Sequence, residues 1–474
     1  LGSTAGAAAA ESMFKISSPG NDSIQVRFID LVLGSHTATS SAAAITVSFG
    51  KVNLTLANVD IFDMKAPAGA VLMFGSFNSS SDQSSLSVNN GTFARCASTE
   101  AAAFAAALNP HGIGRFHISN VTFFNNTGAQ AAAVLALHTS TVSVTSCTFR
   151  QNTAVNGQLS ATALVLGVDS AVISGNHFIQ NNGSPLVIYG SKSLTAAGPN
   201  PSSIQVQQCS FIRNTGSITG ALAVGMAALT CVTNSSFEGN FGSGAGYDVT
   251  ANSSFGPVGG LLIDTTDSFV GDALSITDNN ANYTYLLSVR ALRQYNQPLP
   301  PGLSTSEASL FNSKITGANT SLIKQSSVGV YAPSTLMTNL NLCMPMLATS
   351  ANSSGIILST SSAGATLQPG EAGLAGSAAI RVCDAMPAGS TTSDSAGVLS
   401  DCSRCVFTGP LQCSAWTAAM ISSQKAHNKT ASNQTSLYRN HPVIGPSIDG
   451  MVATFNEVFA SALGVSVMPP KLFI

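Results

Sequence analysis

A phenylalanine recurs along this chain inside one repeated phrase, and that repetition restricts the fold more than any other feature. Aligned on it, the segments VNNGTFARC, ISNVTFFNN, VTSCTFRQN, ISGNHFIQN, VQQCSFIRN and VTNSSFEGN place Phe93, Phe123, Phe149, Phe178, Phe211 and Phe237 at intervals of 26 to 33 residues. A weaker copy precedes them near Ile61 and Phe62. Three residues after the Phe stands Asn126, Asn152, Asn181, Asn214 or Asn240, with Cys96 in that place in the first of the six. Each phrase is followed by a short apolar run such as AAAVLAL, ATALVLG, PLVIYG or GALAVG. Periods of this size mark solenoids, in which one unit cannot bury its apolar face alone and stacking supplies the core.

The texture of the repeat is that of strands. In Ile204-Gln205-Val206-Gln207-Gln208-Cys209-Ser210-Phe211 apolar and polar residues alternate, and no 3.6-residue period is present. Clusters reading N-T-G, N-N-G and N-T-A lie between the strands and read as turns, because Asn and Gly tolerate positive φ. The unit is thus strand, turn, strand, turn, and the fold class is all-β, a right-handed parallel β-helix. With about 4.8 Å between coils, Phe stacks on Phe, and an inward Asn amide can bond the coils above and below, satisfying backbone groups that a buried turn would strand. The position two before the Phe points the same way and holds Gly91, Val121, Cys147, Asn176, Cys209 and Ser235. Cys147 and Cys209 there are two coils apart, too far for a disulfide, and read as small buried side chains.

Composition supports a large core with an uncharged surface: 44% of the 474 residues are hydrophobic and 8% charged. With 19 Lys+Arg against 21 Asp+Glu there is no basic field to hold nucleic acid. The longest apolar run, Ala221 to Val232, is well short of the roughly 20 residues that cross a bilayer as a helix, so no membrane span is expected. The surface is instead Ser, Thr, Asn and Gly, with fourteen N-x-[ST] sequons at Asn21, Asn53, Asn78, Asn90, Asn120, Asn125, Asn182, Asn234, Asn252, Asn282, Asn319, Asn352, Asn428 and Asn433. As glycosylation candidates they point to an exported glycoprotein, extracellular or at a cell surface.

The tetrapeptide Phe211-x-x-Asn214, followed by Gly220-Ala221-Leu222 and later Gly259-Gly260-Leu261, resembles the β-helix repeat of the polymorphic outer-membrane protein family and of related cell-surface proteins of green algae. The resemblance covers roughly residues 20 to 260 and departs from the family in its second motif, more often A-x-x than G-G-A. It implies an adhesive or structural surface stalk whose partners are other surface or matrix proteins or glycans.

Four regions are expected. Residues 1–12 form an N-terminal segment, and residues 13–346 the β-helix, with regular coils to about 260 and irregular ones after. Residues 347–376 are a Ser/Gly/Ala-rich connection, and 377–474 a Cys-containing C-terminal region. Within the last, SIDGMVATFNEVFASAL (447–463) has apolar residues at helical spacing with Ser447 as N-cap. Cys383, Cys402, Cys405 and Cys413 gather there as disulfide candidates, the pattern lacking the second close pair of a zinc site.

Catalysis is the competing reading, because β-helices also carry polysaccharide lyases and glycoside hydrolases. Those reactions require paired carboxylates, or Ca²⁺ with a nearby base. Between residues 110 and 240 the only acids are Asp169 and Glu238. Asp264, Asp267 and Asp272, with Asp278 beyond, are the nearest approach to a Ca²⁺ loop, and solvated turn carboxylates are the expected reading. Arg95, Gln151, Gln180 and Arg213 all stand two after the repeat Phe, forming a polar stripe that suits glycan contact. No cofactor motif of the G-x-S-x-G or Walker type is present. The expectation is a non-enzymatic stalk module, with a polysaccharide-active enzyme or a glycan-binding module as alternatives.

Overall fold

The computed structural model describes residues 11 to 289 with breaks, the longest at 191–201, and beyond them only short strands between Glu307 and Val382, without their side chains. The expected helix at 447–463 and the four candidate disulfide cysteines lie outside the described residues. What is described is a right-handed parallel β-helix with three walls.

A broad wall of twelve parallel strands contains Ile45–Ser48, Val71–Phe74, Phe104–Ala107, Ala131–Leu137, Ala161–Val168, Ser184–Gly190, Leu222–Gly225 and Val258–Thr266 in that order. A second, bent wall carries the Phe. In the first coils it is one long strand, as in Val52–Phe62 and Arg115–Phe124. Later it divides at its corner into two, as in Thr141–Thr145 with Thr148–Arg150 and Ser203–Gln207 with Ser210–Ile212. Parallel pairing continues into segments that no longer carry the Phe–Asn phrase, through Ile356–Ser359 on the broad wall and Arg381–Val382 on the bent one.

The third wall corrects the two-strand reading of the repeat. Lys65–Ala66, Ala97–Ser98, Thr127–Gly128 and Thr153–Ala154 form a parallel sheet of two-residue strands, and Thr215–Gly216 pairs with Phe241–Gly242 in the same manner. Asn182 bridges Thr153 and Thr215, joining the two stretches. The T-G and T-A dipeptides are therefore strands. Two residues are too few to show a period, and their inward member is small for a packing reason: a Cβ on Gly216 would run into the Thr219 carbonyl, and one on Gly242 into the Val258 carbonyl.

Inside, the Phe side chains stack as expected. Phe123, Phe149, Phe178, Phe211 and Phe237 are fully buried, with successive ring centroids 4.6 to 5.0 Å apart and planes within 5° of parallel. Phe93 sits on Phe123 at 5.3 Å. The equivalent places in the flanking coils are filled by Ile61 and Ile276, both fully buried. Each such ring contributes about 1.5–3 kcal/mol of burial relative to leaving it in water. In the first described coil Ile24, Val26, Phe28 and Leu31 face the same way and are only half-buried.

Beside the rings runs a ladder of buried amides. The Asn152 backbone N–H and Nδ2 both donate to Oδ1 of Asn181 in the next coil at 3.0 Å, while Nδ2 also donates to the Phe123 carbonyl of the coil before at 3.0 Å. Asn126, Asn181, Asn214 and Asn240 repeat the pattern, and it ends on Asn279, a member that the Phe alignment does not find. Cys96 begins the series: its backbone N–H donates to Asn126 Oδ1 at 2.9 Å, and its Sγ points to the Ile61 carbonyl. A shorter version stands two residues before the Phe, where Asn176 accepts from the Cys147 N–H and donates to the Val144 carbonyl, both at 2.8 Å.

Positive φ falls in two columns of corners beside the ladder, where Asn and Gly are common but Arg, Gln, Ser and Asp are found as well. One column of corners lies three before the Phe position and includes Asp30, Asn58, Asn90, Asn120, Ser146, Gln208 and Asn234. The other lies two after it and includes Asp63, Arg95, Asn125, Gln151, Gln180 and Arg213, with φ between 51° and 55°. The Asn of N-T-G is the buried ladder residue following the corner, so the expectation that it supplies the turn is corrected. A non-glycine residue in this region costs about 1–2 kcal/mol, offset by the amide bonds on either side.

Two substitutions test this account. Asn181→Ala strands the Phe149 carbonyl and the donors of Asn152 and should cost roughly 2–5 kcal/mol in chemical denaturation. Asn181→Asp can replace one donor only while protonated, and burial raises its folded pKa above the unfolded value of about 3.9. Its deficit should therefore be smallest below that pH and grow as pH rises. At the corner, Gln180→Gly should leave stability equal or higher, whereas Gln180→Val should cost about 1–2 kcal/mol, since a β-branched residue fits positive φ worst.

Candidate functional site

The outward chemistry of the bent wall is concentrated in its two corner columns. At the first, side chains bond along the axis: Asn58 Nδ2 donates to Asp30 Oδ1 at 2.8 Å, Asn90 Nδ2 to Asn58 Oδ1 at 3.2 Å, and Asn120 Nδ2 to Asn90 Oδ1 at 2.8 Å. All four residues are exposed. The sequence reading does not include this outer amide ladder, because Asp30 and Asn58 precede Leu33 and Ile61 rather than a repeat Phe.

The second column gathers the polar stripe. Arg95, Gln151, Gln180 and Arg213 are all exposed and stand in one line with Asp63 and Asn125, each backbone N–H bonded to the next coil, as from Gln151 to Ile179 and from Gln180 to Ile212. Arg95 Nε and an Nη pair with both oxygens of Asp63 at 2.7 and 2.9 Å. The guanidinium hydrogen bond holds the Asp63 carboxyl below its ordinary range and the Arg95 guanidinium above its own. Arg95 also lies 5.7 Å from the Phe62 ring centroid. Guanidinium and amide groups at a coil spacing can donate to hydroxyls of an extended polymer lying along the axis.

Six sequon asparagines are described, and each reaches solvent. Asn90, Asn120 and Asn234 occupy the first corner column, Asn125 the second, and Asn182 the third wall. Asn53 is half-exposed within Val52–Phe62, with its amide bonded to Ser23 at 3.2 Å and accepting from Ser85 at 2.6 Å. Asn21, Asn78, Asn252, Asn282, Asn319, Asn352, Asn428 and Asn433 lie outside the described residues.

The acidic candidates are divided between walls. Asp264 belongs to Val258–Thr266 on the broad wall and Asp272 to Ser268–Asp272 on the bent one, while Asp267 is outside the described residues. Among the described residues no group of three or more His, Cys, Asp or Glu comes together, and no helix is long and apolar enough to cross a membrane.

Cys96, Cys147 and Cys209 are free thiols pointing inward. Burial pushes the Cys96 thiol up to about 12 and those of Cys147 and Cys209 to about 11. Because the thiolate is the reactive form, iodoacetamide at mildly alkaline pH should leave all three unmodified in the native chain and alkylate them fully in strong guanidinium chloride. Peptide mass spectrometry reads the difference, and rapid native modification of any one would contradict the packing described.

Comparison of the chain with protein-family models, with curated proteins and with solved structures finds no match.

Proposed function

We propose that this chain is a structural or adhesive stalk module of a secreted or cell-surface glycoprotein, acting through its length and outer surface rather than through a reaction. The observation that carries this reading is the position of the six described sequon asparagines, all on corners or outer faces from which a glycan can leave. Two features support it. The buried ladder asparagines of the Phe–Asn coils are engaged in coil-to-coil bonds. The outward ones repeat at one coil spacing, as a rod with a uniform surface requires. The resemblance to polymorphic outer-membrane proteins and algal surface proteins points the same way.

The second reading is glycan binding by the Arg95, Asn125, Gln151, Gln180 and Arg213 column, favoured by its line of exposed donors. Secretory expression of the whole chain separates the possibilities. Glycopeptide mapping should find sugars on several of the six asparagines, and incubation with neutral and acidic polysaccharides should release neither reducing ends nor unsaturated uronates. A secreted chain bare at all six removes the glycoprotein reading. Polysaccharide cleavage replaces the stalk with an enzyme, and glycan-array binding lost in Arg95→Ala or Arg213→Ala moves the function to the stripe.

Asn90 and Asn120 supply a sharper expectation. They stand on successive coils with their amides hydrogen-bonded, about 4.8 Å apart along the axis, too close for two branched oligosaccharides to leave side by side. Summed occupancy at the two sites should not exceed one glycan per chain, and Asn90→Gln should raise occupancy at Asn120. Intact-protein mass spectrometry showing both filled on one chain would contradict this.

A further inference from the structure

One described cysteine differs from the other three. Cys96, Cys147 and Cys209 are free, whereas Cys231 is disulfide-bonded. Its strand Leu229–Thr233 pairs with Ser203–Gln207 so that Val232 lies beside Val206 in the core and Cys231 beside Gln205 on the outer face. In the three coils before it, that outer column holds Ser143, Val172 and Gln205, all partly exposed. From Cys231 onward the column is closed to water. Leu229, Cys231 and Val270 are 0%, 1% and 2% exposed, yet they lie outside the core cluster. The bent wall is thus apolar and covered on its outer face at the place where it carries a disulfide.

The pairing of the later coils narrows the choice of partner. Nine cysteines less the three free ones and Cys231 leave Cys343, Cys383, Cys402, Cys405 and Cys413. The Cα atoms of a disulfide lie within about 7 Å of each other. Asn341–Cys343 is three coils beyond the coil of Cys231, by way of Ser275–Asn279 and Lys314–Gly317. At about 4.8 Å per coil that is about 14 Å. Arg381–Val382 is one coil further, at about 19 Å, so the adjoining Cys383 comes no nearer than about 15 Å. Both are too far.

We propose that Cys231 is bonded to Cys402, Cys405 or Cys413, so that the chain turns back after Arg381–Val382 and straps the outer face of the bent wall at Leu229 and Val270. In forming the bond two thiols lose two protons and two electrons. An oxidised disulfide of the secretory pathway accepts them by thiol–disulfide exchange and leaves as two thiols. The strap goes beyond the stalk reading and rests only on its export, since a tied solenoid is compatible with any use of the remaining faces.

The test is peptide mapping of the secreted full chain, treated with N-ethylmaleimide and digested without reductant. The peptide carrying Cys231 should be joined to one carrying Cys402, Cys405 or Cys413, which Arg404 and Phe407 separate under trypsin and chymotrypsin. An alkylated Cys231, or a bond to Cys343, Cys383 or a second chain, would overturn the assignment. Benzoylphenylalanine at position 270 supplies a second readout: irradiation should place adducts beyond residue 383, and adducts confined to earlier residues would count against the strap. Sequon occupancy in the same digest reports export separately. A glycosylated chain with alkylated Cys231 removes the strap alone, and a chain bare of sugars is refolded with glutathione disulfide and mapped again.

Discussion

The amide ladder is the interaction on which the rest of this fold depends. A solenoid corner turns the chain sharply within a dry interior, and a buried backbone group without a partner costs about as much as a lost hydrogen bond. Each ladder Asn answers for three coils at once: its Nδ2 reaches back to the carbonyl of the preceding Phe and forward to the next Asn, whose Oδ1 also takes the backbone N–H. Only a side chain with donor and acceptor on one short stem does this. Asn fits, Asp lacks the donor, and Gln is a methylene too long. Cys96 is tolerated at the start because its thiol still turns to the Ile61 carbonyl while its backbone N–H uses the Asn126 oxygen.

The corners and the Phe stack follow from that ladder. Once the Asn amide is held, the residue before it is held at φ near 53°, whatever its type, so Arg95, Gln151, Gln180 and Arg213 occupy a conformation that composition would assign to Gly or Asn. The Phe, three residues earlier on the same inward side, is brought over its neighbour at the coil spacing, and the rings become nearly parallel because the registers on either side leave no lateral freedom. Aromatic stacking adds about 0.5–1.5 kcal/mol per pair, less than the penalty of a stranded corner. The amides therefore set the register and the rings fill it.

This ordering explains what could be read from the sequence. Phe149 and Asn152 were legible because the Phe recurs through six copies and the Asn at a fixed separation from it through five. Their burial and their bonds followed from stacking alone. The third wall was not legible, because Thr153–Ala154 is two residues long and resembles a turn. Asn279 was missed because its coil carries Ile276 in place of Phe, so the alignment marker was gone while the ladder persisted. The stripe at Arg95, Gln151, Gln180 and Arg213 was found from spacing. The outer ladder from Asp30 to Asn120 needed the corner geometry, since nothing in a single Asn before a strand says that its amide will meet another 30 residues on.

The broad wall shows the opposite limit. AAAVLAL and ATALVLG are apolar without alternation, and such a run is compatible with a strand buried on both faces or with a stretch of buried helix. Parallel pairing settles it as a strand, and the alternation of core and outer residues then divides one apolar run into two surfaces. A coil built this way has three unlike sides: one polar and ordered by corner amides, one thin and limited to small residues, and one that buries its outer face as completely as its inner one. The polar corners meet water all along the axis. If the chain is the surface stalk we propose, contact with glycans or other surface molecules falls to those polar corners, because only there do donors and acceptors repeat at one coil spacing.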